Sequence, residues 1–252
     1  MASETPENAP TPMTQAELDA IIKKHVRFGQ GRAGGGRAVI KFKSLVGLSL
    51  RQADLSGADF TGSDLSNCNM SKCNFHGATF YGCNIQNANM ENSDFSRADF
   101  RGADVTGANL SGTNMAGADM RQGAKIIAPN LTKNDVQKTL DGDTIFKGTD
   151  LTHADLSDAR AASVDLSNAN MTAARAANCD LSGANLQNAN MAHVDLSQSN
   201  LENAHLKGAI LTGALTEGTK LDGANFTDVL TDAHAGRSID YTQSDDNELI
   251  RK

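Results

Sequence analysis

Residues 53–67 read Ala-Asp-Leu-Ser-Gly, Ala-Asp-Phe-Thr-Gly and Ser-Asp-Leu-Ser-Asn, three pentapeptides of one pattern. A small residue (Ala53, Ala58, Ser63) stands two places before a large apolar one (Leu55, Phe60, Leu65), with Asp between them. In an extended segment successive side chains point to opposite sides. The small and the apolar residue therefore face one way and the Asp the other. The Ser-Gly or Ser-Asn that follows favours a bend, so the chain is expected to turn every five residues.

The pattern extends far on both sides. Every fifth residue from Ile40 to Met120 is apolar, seventeen in succession. The register is then lost and resumes one residue out of phase at Phe146. It runs to Phe226 with only Ala161, Ala176 and Thr216 lacking a large apolar group. A second period overlies the first: Phe60, Phe80 and Phe100 recur at 20 residues, as do Phe75 with Phe95, Met70 with Met90, and Met171 with Met191. Four bends per circuit would stack like residues in columns, with these phenylalanines, Met70, Met90, Leu181 and Leu201 in the core of a coil of 20 residues. Coils about 4.8 Å apart would give a rod of roughly 40 Å.

The motif Ala-(Asp/Asn)-Leu-x-x, seen in Ala53-Asp54-Leu55-Ser56-Gly57 and Ala184-Asn185-Leu186-Gln187-Asn188, resembles the pentapeptide-repeat family from residue 38 to about 228, outside the interruption. The resemblance implies an all-β fold, a right-handed quadrilateral parallel β-helix. Before the repeats, Thr14-Gln15-Ala16-Glu17-Leu18 reads as a capping box opening a helix, and Thr132-Lys133-Asn134-Asp135-Val136 is a weaker copy of it. The expected organisation is a disordered lead-in (1–13), a helix with a Gly-rich linker (14–37), a first array (38–122), an insertion with a short helix (123–143), a second array (144–230) and a polar tail (231–252). The helix would cover the open end of the first coil, where an exposed edge invites strand addition. Two arrays, each preceded by a helix, are the preferred reading. The alternative is a long loop set into one continuous coil.

With 9 Phe, 2 Tyr and no Trp, an ordinary layered core would be thin. No apolar run approaches the ~18 residues of a membrane span, and the N-terminus lacks the pattern of a secretory signal; a cytoplasmic location is expected. The net charge of −7 is unevenly placed. Between Asp19 and Asp54 lie Lys23, Lys24, Arg27, Arg32, Arg37, Lys41, Lys43 and Arg51, and no acidic residue. From residue 144 onward 15 acidic residues face 8 basic ones.

Residues that suggest chemistry have plainer readings. Gly29-Gln30-Gly31-Arg32-Ala33-Gly34 matches GxGxxG, but that loop cradles phosphate only between a strand and a helix, and here a helix precedes it. A flexible linker is expected and no cofactor is assigned. Cys68, Cys73, Cys83 and Cys179 occupy the small inward position, as buried thiols do, and their spacing suits no zinc site. His76, His153 and His193 fall on outward positions. No catalytic or metal-binding residue is assigned.

Without an active site, a rigid scaffold binding a protein on its flat outer faces is the leading function. The resemblance raises an alternative, because quinolone-resistance and gyrase-inhibiting members resemble B-DNA in size and negative charge and bind DNA gyrase. Asp180, Glu202 and Asp222 are the candidate phosphate mimics, although basic residues interleave with them. The basic segment (Lys23, Lys24, Arg27, Arg32, Arg37) could attract nucleic acid or anionic lipid, without aromatic interleaving, could pair head to tail with the acidic half of another copy, or could be a solvated linker with no partner.

Overall fold

The computed structural model describes residues 10–124, 141–232, 241–243 and 249–251. Its body is a four-sided parallel β-helix. Single-residue parallel bridges join each outward Asp, Asn or equivalent to the residue 20 positions on, as in Asp54↔Asn74 and Asn74↔Asp94. One face carries Ile40, Phe60, Phe80, Phe100 and Met120 as its inward centres and is called face one. Faces two, three and four follow at Leu45, Leu50 and Leu55 and at their equivalents in later coils.

The pentapeptide works because it satisfies all five of its backbone N–H groups. In Ala184–Asn188, Ala184 donates to Leu181 O across the bend (3.0 Å) and Asn185 to Val164 O of the preceding coil (2.9 Å). Leu186 and Asn188 donate to His205 O and Lys207 O of the following coil (2.8 and 3.0 Å). Gln187, which has no carbonyl in reach, donates to the Asn185 side chain (Oδ1, 3.3 Å). The outward Asp or Asn is thus a backbone acceptor, and this explains why those two residue types dominate the position. The fifth residue has positive φ at every corner named here, +67° at Gly57 and +59° at Asn67, which suits Gly and Asn.

Inside, like residues do lie over like. Phe60, Phe80 and Phe100 stack with centroids 5.2 and 5.0 Å apart, and Phe75 stacks on Phe95 at 5.0 Å. The two columns meet edge to face, with Phe75 and Phe80 at 5.3 Å and 73°. Met70, Met90, Leu181 and Leu201 are fully buried in their own columns. Several inward polar residues donate to a carbonyl of the coil before, Ser63 Oγ to Ile40 O, Ser93 Oγ to Met70 O and Thr219 Oγ1 to Leu196 O, whereas Thr113 and Thr149 donate to Leu110 O and Phe146 O within their own coil.

The structure corrects the two-array reading. Asp104 bridges to Ile145, Asn109 to Asp150, Asn114 to Asp155 and Asp119 to Arg160, so the coil is continuous across the interruption. Two short strands, Gly123–Ala124 (β3) and Asp141–Gly142 (β4), pair antiparallel at the base of the insertion. The chain leaves one corner and returns to it. The excursion of 21 residues exceeds a multiple of five by one, which accounts for the shift in register. Thr144 seals the joint, its hydroxyl donating to Arg121 O (2.6 Å) and accepting from the Gly102 N–H (2.9 Å). The helix pattern at Thr132–Val136 lies outside the described residues.

At the N-terminal end, helix α1 (Gln15–Gly29) carries the complete capping box of Thr14 and Glu17. Two further expectations are corrected here. The lead-in is ordered in its last residues: Thr11–Pro12 (β1) pairs parallel with Lys43–Ser44 (β2). The Gly-rich linker is not free either, since Gly31, Arg32 and Gly36 donate to Phe28 O, Arg27 O and Lys24 O and fold it onto the end of the helix. A Cβ on Gly35 would lie 2.4 Å from the Phe28 nitrogen, so this approach needs glycine.

The cap meets the first coil with polar groups matched to its edge. The Gln15 amide accepts from Ser49 N and donates to Ser49 O, as a strand would (2.9 and 2.8 Å). His25, 3% exposed, accepts the Ala38 N–H at Nδ1 (2.9 Å). Its Nε2 must then carry the proton and donate to Ser56 O (3.1 Å). At the far end of the chain, Tyr241–Gln243 (β5) and Leu249–Arg251 (β6) pair antiparallel.

Candidate functional site

The outer faces are assembled from three outward positions per pentapeptide: the Asp or Asn before the centre and the two residues after it. Each row is ordered by the turn chemistry already described. Asp150 Oδ1 accepts both the N–H and the hydroxyl of Thr152, and Asn109 does the same for Ser111. Side chains on such a face need little further ordering to meet a partner.

Face one is the most strongly charged at its middle. Arg101 makes a two-point contact with Asp99 (2.9 and 2.8 Å), and Arg121 makes the same contact with Asp119 (2.9 and 2.7 Å). Arg160 approaches Asp119 at 3.8 Å, and the Arg101 guanidinium lies 5.3 Å from the centre of the Tyr81 ring. Burial opposes ionisation of Asp119, yet the Arg121 hydrogen bonds and charge, with Arg160 nearby, hold its carboxyl below its ordinary value. The Asp99 hydrogen bonds raise Arg101 further above neutrality. A shallow dent of about 310 Å³ lies among Arg101, Arg121, Gln122, Ala162 and Ser163, beside the base of the insertion.

Asp180, Glu202 and Asp222 fall on this same face, in three successive coils beyond the arginines. Asp180 lies directly above Arg160, and Lys220 precedes Asp222 in the last coil. The structure therefore brings the three acids together without isolating them from positive charge. Face four is more evenly acidic, with Asp54, Asp94, Asp155 and Asp195 in one column and Arg175 between the last two. Face three carries mostly asparagine, with Asn69, Asn89, Asn109, Asn170 and Asn190 in one column and Asp150 between Asn109 and Asn170.

Of the basic residues, Lys23, Lys24, Arg27, Arg32 and Arg37 are exposed, and Arg37 Nε donates to Gly57 O (2.6 Å). At about 100° per residue, Lys23, Lys24 and Arg27 fall on the side of α1 opposite Leu18 and His25. The expectation that this segment lacks an interleaved aromatic is corrected: Phe28 is 52% exposed beside them. Its position in the helix, next to Arg27 and ten residues after Leu18, places it off the buried stripe. The same stripe identifies His25, seven residues after Leu18, as a buried residue, a signal that attention to outward histidines passes over.

The residues with chemical potential are otherwise quiet. All four cysteines are buried and unpaired. Burial pushes the thiols of Cys68, Cys83 and Cys179 up to about 12 and that of Cys73 to about 11. Cys68, Cys73 and Cys83 donate to Leu45 O, Leu50 O and Phe60 O, which is the role of an inward serine. His153 and His193 occupy corner positions two coils apart, with φ of +57° and +58°. His76 Nδ1 and Ser96 Oγ are 2.8 Å apart on face four, an exposed pair at a shallow dent with Arg97 and Asp158. Among the described residues no group of His, Cys, Asp and Glu could hold a metal ion, and no helix is long and apolar enough to cross a membrane.

The family model for pentapeptide repeats matches in eight copies, within residues 44–71, 73–122 and 146–228. No curated protein matches. Among solved structures, this chain is similar to HetL, a pentapeptide repeat protein involved in heterocyst differentiation regulation from the cyanobacterium Nostoc sp. strain PCC 7120. That likeness is 25% identical, covers 88% of this chain and 99% of that one, and has a TM-score of 0.39. A trypsin-treated form of QnrB1, a plasmid-mediated fluoroquinolone resistance protein, is 20% identical over 78% of this chain and 92% of that one, with a TM-score of 0.40. Rfr23, a pentapeptide repeat protein from the cyanobacterium Cyanothece 51142, is 31% identical over 53% of this chain and 87% of that one, with a TM-score of 0.26.

Proposed function

Because the chain belongs to the pentapeptide-repeat family, whose members fold as right-handed quadrilateral β-helices, we propose that it is a non-enzymatic scaffold that holds a protein partner against its flat outer faces. The observation that carries this reading is the pinning of outward side chains by their own turns, from Asp54 with Ser56 to Asn225 with Thr227. A surface ordered in advance loses little entropy on binding. We place its work in the cytoplasm, where four unpaired buried thiols suit a reducing compartment.

The test is site-specific photo-crosslinking from one surface position per face: Ser182 on face one, Gln187 on face two, Thr172 on face three and Ser197 on face four. Crosslinks to one protein from one or two adjacent faces are expected. Uniform, non-saturable crosslinking from all four would overturn the scaffold reading.

A second reading keeps one observation in its favour, the alignment of Asp180, Glu202 and Asp222 on face one. A DNA mimic acting on DNA gyrase would inhibit supercoiling at micromolar protein, and reversing all three charges would abolish the effect. Arg160 and Lys220 in the same column argue for the opposite result, no effect of the wild type.

A further inference from the structure

Among the described residues the exposed large hydrophobic side chains are Phe28, Val39, Val46 and Leu215. None lies in the middle of the rod. Phe28 is on the cap, Val39 and Val46 are on the first coil, and Leu215 is on the last coil, 59% exposed. Scattered single residues would need no explanation, but confinement to the two ends does.

The two ends also carry opposite charge. Around Phe28 stand Lys23, Lys24 and Arg27, exposed on the outer side of a helix whose other side seals the coil, and Arg32, exposed in the segment that folds back onto the helix end. Around Leu215, the last coil from Leu211 to Asp232 carries Glu217, Asp222, Asp228 and Asp232 against Lys220 alone. Thirty-four pentapeptides, four to a coil of about 4.8 Å, put these ends roughly 40 Å apart. At physiological salt the Debye length is about 8 Å, so neither end neutralises the other within one molecule.

We propose that the two ends form one interface: the basic, Phe28-bearing head of one copy docks on the acidic, Leu215-bearing end of the next. Charge complementarity within the same chain selects a second copy as the occupant. The contact is heterologous and repeats along one axis, so it builds open linear chains of rods rather than closed dimers. The helical cap keeps the contact reversible. Gln15, His25 and β1 already occupy backbone groups at the edge of the first coil, which leaves side chains to make the junction. Such chains would present the outer faces in repeated array, and the inference stands whether or not those faces bind a protein.

Sedimentation velocity of the full chain, over a range of concentrations at about 0.05 M and about 0.5 M salt, reads the interface directly. The wild type should form a concentration-dependent ladder of species at low salt that collapses to monomer at high salt. Lys23→Glu, Lys24→Glu and Arg27→Glu together should weaken association at least roughly tenfold, as should Glu217→Lys with Asp222→Lys. An equimolar mixture of the two reversed proteins should associate again, because each supplies the charge that the other lacks. Circular dichroism melts establish that each variant is folded, and the corresponding Gln variants provide a milder second series. A wild type that is monomeric at both salt concentrations overturns the proposal, as does a mixture that stays monomeric. Loss of association on tail reversal alone would indicate a symmetric tail contact and would also overturn it. So would a monomeric wild type that binds anionic vesicles or nucleic acid through Lys23, Lys24 and Arg27.

Discussion

Seventeen pentapeptides precede the insertion and the same number follow it, and the backbone does not distinguish them. Phe75 donates to Asp94 O at 2.7 Å in one half, and Met171 donates to Asn190 O at 2.7 Å in the other. The filling differs. The N-terminal half packs Phe60, Phe75, Phe80, Phe95 and Phe100 into two interlocked stacks. The C-terminal half has Ala161 and Ala176 at centre positions of the same two faces, within a single coil. It also carries most of the acidic excess. One ladder therefore accepts either core, and the comparison separates what the backbone contributes from what the side chains add. In a solenoid, where each coil touches only its neighbours, that difference should appear as a gradient of local stability.

The gradient is tested most strongly at Phe80, whose ring contacts those of Phe60, Phe75, Phe95 and Phe100. Phe80→Ala should cost about 4–5 kcal/mol, at the upper end for a buried Phe, and Leu181→Ala about 2–3 kcal/mol. Urea melts of the two variants give the comparison. A larger loss at Leu181 would mean that the phenylalanine stacks are not the stable part of the rod.

The head of the N-terminal half depends on His25. His25→Ala leaves the Ala38 N–H and the Ser56 carbonyl without their partner, and should cost about 2–3 kcal/mol. Hydrogen exchange should show the loss first at the Ala38 amide, with protection around Leu181 unchanged. Equal loss of protection in both halves would instead make the rod a single cooperative block.

Joining Gln122 directly to Thr144, without residues 123–143, tests whether the halves are one object. The deletion removes β3 and β4 but restores the regular spacing, Met120-Arg121-Gln122-Thr144-Ile145-Phe146, and Asp104 already bridges to Ile145. The shortened chain should melt in one transition within about 1 kcal/mol of the wild type, since loop length has a weak effect on closure entropy. Two separate transitions would restore the reading of two units.

That reading shows where the sequence was hard to interpret. The pentapeptide is legible because its period is local: five residues fix one side, and twenty fix which side chains stack. The insertion is not local. Its phase shift of one residue is visible at Phe146, but continuity depends on a pairing between residues 41 positions apart, Asp104 and Ile145, which no local pattern encodes. The cap is intermediate. Its capping box is written in Thr14 and Glu17, whereas the use of Gln15 as a surrogate strand and of His25 as a two-ended clamp depends on where the helix lands. The candidate surfaces follow the same rule. The alignment of Asp180, Glu202 and Asp222 follows from the period of 20, while the pairing of Arg101 with Asp99 and of Arg121 with Asp119 depends on rotamers.

The smallest effects test the premise that both halves share one backbone. Gly57 and Gly148 occupy corners with φ of +67° and +63°, and a Cβ added at either would meet nothing within 4 Å. Gly→Ala at these sites therefore reads the cost of the left-handed corner alone, free of packing. Each should lose about 0.5–1 kcal/mol, the difference between a left-handed penalty of about 1–2 kcal/mol and a gain of roughly 0.5–1 kcal/mol from a stiffer unfolded chain. The two losses should agree within about 0.5 kcal/mol, as expected of distant sites on one ladder. Ala173, a corner with φ of +54°, already bears the penalty. Ala173→Gly should consequently stabilise the protein, by about 0.5 kcal/mol after the unfolded chain regains its freedom. Denaturant midpoints resolve a shift of this size when the slope is unchanged. A destabilising Ala173→Gly would show that its methyl group packs against the corner strongly enough to outweigh the strain. The backbone of the C-terminal half would then depend on side chains that the N-terminal half does without.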